Sequence, residues 1–118
     1  MVLSGRADVI LEHEDGEVQS LAIVDYKTAA GEEGHHDPQL QVYADAGRRE
    51  GLTVRAVYVH DLGESERLPV DVSGTAISAA EQTVVLLSER MRARDFSPSP
   101  APASCLRCDV RPMCRFAM

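Results

Sequence analysis

Three side chains near the start of the sequence have the types and spacing to do chemistry. Asp25 and Lys27 close the apolar run Leu21-Ala22-Ile23-Val24, with Tyr26 between them. Side chains two apart on a strand share a face, so a strand here projects a carboxylate and an ammonium together. Asp8, in Gly5-Arg6-Ala7-Asp8, belongs to an earlier apolar stretch. Two hard oxygen donors with a lysine beside them are the parts needed to hold a divalent cation and activate water next to it. Asp-x-Lys by itself is also an ordinary surface ion pair, so its weight depends on the elements that carry it.

Two further groupings stand out. Gln39 and Tyr43, in Gln39-Leu40-Gln41-Val42-Tyr43, are four apart and fall on one helical face, able to contact a phosphate, a base or the shell of a site. Equally, Tyr43 could serve as a core residue of a half-exposed helix. Cys105, Cys108 and Cys114 follow a proline-rich stretch in a Cys-x2-Cys-x5-Cys spacing, a strong metal or cluster signal. Tetrahedral zinc and a four-iron cluster each take four ligands. The tail has three cysteines and no histidine nearby; His13, His35, His36 and His60 are all distant. A fourth ligand would come from residues upstream of this stretch, or less readily from His60 folding back. His35-His36-Asp37 reads first as a polar loop, and Arg90, Arg92 and Arg94 serve a phosphate backbone or their own helix dipole equally well.

The 118 residues suit one small domain with a single core. A composition of 44% hydrophobic and 26% charged residues favours folding over disorder. With five aromatics, the core must be built from Val, Leu, Ile and Ala. No apolar run approaches the roughly 20 residues that span a bilayer, and no secretory signal opens the chain, so a cytoplasmic setting is expected. In that setting a disulfide among the cysteines is disfavoured. The net charge of −7 argues against a generally basic nucleic-acid surface. Residues 1–80 carry 6 Lys/Arg and 15 Asp/Glu for a net −9, whereas residues 81–118 carry 6 Arg and 4 Asp/Glu for +2. Phosphate contacts are therefore expected towards the C-terminal end.

Periodicity places these side chains on elements. Residues 2–11 read as a strand and residues 14–17 as a turn whose Asp-Gly marks a hairpin. Residues 18–27 return as a strand, apolar on both faces at 21–24 and hence interior. Residues 29–37 read as a loop, with Asp37 capping a helix, Pro38 at its first position and Gly51 ending it. Residues 54–60 and 67–72 read as strands, the second following a turn at 61–65. Residues 75–94 read as a helix with Ile77, Ala80, Val84, Leu87 and Met91 on its apolar stripe. Three prolines within residues 97–103 make an extended connector. The expected fold is α/β, with a mixed sheet, flanking helices and a cysteine-rich tail. The expected division is a core over 1–96 and a connector with metal-binding tail over 97–118. Met1 falls inside the first expected strand, as though a longer protein continued upstream.

Taken in order, Gly5-Arg6-Ala7-Asp8, Asp25-Tyr26-Lys27, Gln39-x3-Tyr43 and the cysteine tail resemble the RecB-like branch of the PD-(D/E)XK nucleases. That branch includes CRISPR-associated RecB-type exonucleases and the C-terminal nuclease modules of helicase–nucleases. The tail is most similar to its iron–sulfur members. The resemblance runs from Gly5 to Phe116. It implies a restriction-endonuclease-like core and a Mg²⁺- or Mn²⁺-dependent deoxyribonuclease, an exonuclease first, working in DNA repair, recombination or CRISPR adaptation. Its implied partners are DNA, a helicase domain or CRISPR adaptation proteins.

By the same resemblance Asp8, Asp25 and the Tyr26 main-chain carbonyl are metal ligands and Lys27 is the catalytic lysine. Gln39 and Tyr43 support the site and contact DNA. Cys105, Cys108 and Cys114 are three of four ligands to a [4Fe–4S] cluster, with zinc as the alternative. Two departures count against full activity of this stretch alone. The family's upstream cysteine is missing, and so is the helix that precedes the first strand with its histidine and acidic residue. Outside the resemblance, two other classes are a non-catalytic DNA-binding or scaffolding module stapled by its cysteines, and a zinc-ribbon-like domain. The second leaves the first half of the chain unexplained.

Overall fold

The computed structural model describes residues 2–16, 18–29, 31 and 34–118. Met1, Glu17 of the expected turn, and Ala30, Glu32 and Glu33 of the expected loop lie outside the described residues. Four strands, β1 (Val9–Asp15), β2 (Val18–Lys27), β3 (Val54–Asp61) and β4 (Glu66–Pro69), form one sheet in the order β1-β2-β3-β4. The outer pairs are antiparallel and the central pair β2–β3 is parallel. Antiparallel neighbours are joined by short turns, and the parallel pair by a crossover through helix α1 (Asp37–Arg49). The mixed α/β architecture is the expected one and is consistent with a restriction-endonuclease-like fold.

β1 begins later than its sequence pattern suggests, at Val9 rather than residue 2. The ladder stops there for a physical reason. The Tyr26 N–H, which a longer β1 could have met with a main-chain carbonyl, donates instead to Asp8 Oδ2 at 2.9 Å. β1 is otherwise an exposed edge strand, and Glu12, Glu14 and Asp15 on it discourage pairing with other chains. β4 also ends early, because Asp71 turns the chain by accepting the Ser73 N–H at 2.9 Å. The hydrogen bonds from Ser73 hold the Asp71 carboxyl below the ordinary carboxylate range. Ser73 Oγ then accepts the Ala76 N–H and caps α2 (Gly74–Arg92), a cap not read from the sequence.

α1 lies across β2 and β3. Leu40 and Ala44 are fully buried against Ile23, Val54, Val57 and Val59, the all-aliphatic core the composition implies. Its N-cap is His36, not Asp37; Asp37 is the first helical residue and makes no side-chain cap, but its charge suits the positive end of the helix. At the other end Leu52 N–H donates to Gly47 carbonyl and Gly51 N–H to Arg48 carbonyl, both at 3.0 Å, with Gly51 at φ +86°. This paired pattern is the left-handed helix stop that glycine makes cheap. A Cβ on Gly47 would lie 2.9 Å from Val54, so the helix can approach β3 only with glycine there. Arg48 fastens the contact by donating to the Val54 and Val72 carbonyls, at 3.0 and 2.7 Å.

Two compact units divide within α2, Met1–Leu86 and Leu87–Met118. In the first, Ala80 is buried and Ile77 and Val84 are half-buried. In the second, Leu87 and Met91 are exposed, so the apolar stripe read over α2 is packed only in its first half. The second unit continues through irregular chain to a short helix α3 (Pro102–Leu106) and a 3₁₀ turn over Arg111–Met113. The connector therefore ends sooner than expected: Pro102, which cannot extend a helix, can start one, and Cys105 lies inside α3. Among the described residues, no helix is long and apolar enough to cross a membrane.

Candidate metal and DNA site

The candidate site is the C-terminal end of β2. In the parallel ladder Asp25 pairs with Val59 and Lys27 with Asp61, so these four side chains share the sheet face that α1 covers. Tyr26 falls on the opposite face. There its ring packs edge-on against His60, with centroids 5.4 Å apart.

Asp25 is 3% exposed, unusual for a carboxylate. Lys27 Nζ stands 2.7 Å from its Oδ2. This ion pair is the one polar contact of that oxygen among the described residues. Lys27 Nζ donates instead to Gln39 Oε1 at 3.2 Å, and Gln39 Nε2 donates to Tyr43 Oη at 3.0 Å. The strand end and the first turns of α1 are thus joined in one polar chain, Asp25–Lys27–Gln39–Tyr43. The four-residue spacing of Gln39 and Tyr43 signalled a shared face; their contact with Lys27 depends on the crossover laying α1 over β2.

Asp8 reaches the same strand end from the other side, through its bond to the Tyr26 N–H. Gly5 explains how the preceding segment gets there. A Cβ on it would lie 2.6 Å from the Tyr43 ring, so residues 5–8 pass close over Tyr43 only because glycine has none. In the sequence Gly5 stands out only as part of the Gly5-Arg6-Ala7-Asp8 motif. Asp61 and Gly63, at the end of β3, also adjoin the site and were read from the sequence only as turn residues.

The donor chemistry fits a hard cation: Asp25 is a buried carboxylate whose Oδ2 meets only the Lys27 ammonium, and Asp8 brings a second carboxylate to the same strand end. The set is small. Among the described residues no three His, Cys, Asp or Glu side chains are gathered as a metal-holding group.

That observation applies equally to the tail. Cys105 is half-buried, Cys108 and Cys114 are exposed, and all three thiols are free. The expected [4Fe–4S] or zinc centre is not supported: the described residues supply three thiolates where four ligands are needed, and no gathered set. Local turns shape the segment, with Cys108 N–H donating to the Cys105 carbonyl and Cys114 N–H to the Arg111 carbonyl, both at 3.2 Å. His35 and His36 pack edge to face at 4.8 Å ahead of α1. Arg90 pairs with Asp95 at 3.1 Å at the end of α2.

A family model for the PD-(D/E)XK nuclease superfamily matches residues 1–115. The chain belongs to this superfamily. The match covers the sheet, the crossover helix and most of the tail. Members of the superfamily are nucleases, which implies a DNA substrate, and they generally use Mg²⁺ or Mn²⁺. No curated protein matches the sequence.

Proposed function

We propose that the end of β2 is the hydrolytic centre of a metal-dependent deoxyribonuclease, with Asp8 and Asp25 as metal ligands and Lys27 as the catalytic lysine. The observation that carries this reading is the Asp25 carboxylate, buried and with Lys27 Nζ, 2.7 Å away, as the sole partner of its Oδ2 among the described residues. Burying a charged group this deeply is costly unless something pairs with it, and one lysine meets that need only in part. A divalent cation, when bound, lowers the pKa of a coordinated water and screens phosphate charge. In this reading Asp8, Asp25 and the Tyr26 main-chain carbonyl would hold it. Lys27, steadied by Gln39, can orient an attacking water by hydrogen bonding and meet the charge that develops on a phosphate oxygen, the water's proton passing to solvent. Gln39 and Tyr43 hold the lysine, and their exposed sides face a backbone drawn into the site.

The finer reading is a RecB-like exonuclease acting in repair, recombination or CRISPR adaptation, beside a helicase or adaptation proteins. Its support is the order of the motifs. The cysteine tail enters this reading through its spacing alone, as a segment needing a fourth ligand from elsewhere to take iron–sulfur or zinc. One observation favours a non-catalytic DNA-binding module instead: among the described residues no third acidic or histidine side chain joins Asp8 and Asp25.

The test is cleavage of linear and covalently closed DNA with Mg²⁺ or Mn²⁺ by the protein, Asp25→Ala and Lys27→Ala. We expect metal-dependent loss of the linear substrate by the wild type and a fall of at least about a hundredfold in each variant, the scale of a lost electrostatic or positioning group. Unchanged cleavage by either variant sinks the assignment, and loss of the closed circle replaces the exonuclease reading with an endonuclease.

A further inference from the structure

We infer that the turn at the end of β3 is a clamp on the main chain of Lys27, and that Asp61 is its positioning residue. The inference rests on the reading of Lys27 as catalytic. A lysine on a flexible four-carbon stem is useful only if its backbone is held, and Lys27 is the last residue of β2. Beyond the final rung, Lys27 with Asp61, one extra bond is made: Leu62 N–H donates to the Lys27 carbonyl at 2.8 Å.

That bond depends on how the chain turns. Asp61, 9% exposed, accepts the Gly63 and Glu64 N–H groups on Oδ1 at 2.8 and 3.1 Å, folding the turn on itself. The turn directs the Leu62 N–H back at β2. It also lies hard against the strand: a Cβ on Gly63 would be 3.1 Å from the Thr28 carbonyl oxygen. Ser65 completes it in the left-handed region at φ 52°, uncommon for a residue with a side chain. Held this way, Lys27 keeps Nζ between Asp25 and Gln39.

The acceptor on Asp61, rather than its charge, is what this role needs. Asp61→Ala should lower kcat for metal-dependent DNA cleavage about tenfold or more with KM little changed, the effect of a small misplacement of a reacting group. Asp61→Asn keeps the acceptor and should recover most of that loss. Wild-type rates in Asp61→Ala, or equal losses in both variants, would overturn the clamp. Backbone hydrogen exchange on the same full chain gives a readout independent of cleavage. Leu62 exchange should accelerate in Asp61→Ala but not in Asp61→Asn, while Ala44, buried inside α1, keeps its protection. An unchanged Leu62 rate in Asp61→Ala, or general loss of protection including Ala44, would refute it. If the wild type fails to cleave DNA but Leu62 responds as stated, the nuclease reading has failed while the clamp on Lys27 stands.

Discussion

The end of β2 and the cysteine tail carry the chain's two sequence signals for metal, and they fold very differently. At the strand end, an aspartate is buried, paired with a lysine and linked through Gln39 to Tyr43. In the tail, three thiols are free, with Cys105 and Cys108 at the two ends of one local turn and Cys114 in another. The strand end is assembled by long-range packing: strand pairing, a crossover helix and a segment passing over Tyr43. The tail is organised by bonds between residues three or four apart. Spacing can suggest a ligand set, but gathering one in space takes contacts that close a loop, and the tail's own turns do not.

The comparison would break most visibly at Lys27. Replacing it with methionine removes the partner of a buried carboxylate, and we expect a loss of about 3 kcal/mol in urea unfolding without added metal, typical of breaking a buried pair. Added Mn²⁺ should restore more stability to this variant than to the wild type, since the carboxylate then lacks any other cation. A loss below about 1 kcal/mol, the range of exposed pairs, would mean that the pair behaves as a surface contact.

Gly5→Ala tests whether the segment before Asp8 really rides on Tyr43. Its Cβ would sit 2.6 Å from the ring, and the ring cannot retreat without straining its bond to Gln39. The expected cost is about 1–3 kcal/mol, the usual penalty for overpacking. Tyr43→Leu in the same chain should relieve part of it, and simple additivity of the two changes would argue against the contact.

The smallest effect belongs to the tail. Serine at Cys105, Cys108 and Cys114 together should change stability by no more than about 0.5 kcal/mol per site, as expected of side chains without buried partners. A larger loss, or iron or zinc retained through anaerobic purification and released by the serines, would move the tail into the same class as the strand end.

Much of this architecture was readable from residue patterns. The hairpin of β1 and β2 followed from Asp15-Gly16 between apolar runs, the crossover helix from its apolar spacing and Gly51, and the interior position of β2 from continuous apolarity at Leu21–Val24. Element ends were less legible, because individual side-chain hydrogen bonds decide them. Asp8 takes the Tyr26 N–H and shortens β1, while Asp71 turns β4 aside into α2. The stripe on α2 looked uniform in sequence, yet its second half is exposed. Periodicity marks which side chains share a face but not whether anything packs against it.

The sequence alone determined that Asp25 and Lys27 share a strand face, that Gln39 and Tyr43 share a helix face, and that the motifs occur in the order of a nuclease superfamily. The first two relations hold within single elements, where the backbone repeat dictates direction, and the third is linear order along the chain. Only the tertiary structure decided that Lys27 meets Gln39, that Asp8 caps the end of the hairpin ladder, that Asp61 and its turn close on Lys27, and that the cysteines are not gathered. Each of those depends on the distance between elements far apart in the chain, which is set by core packing around Leu40, Ala44 and Val57 and by the glycines that let backbones approach.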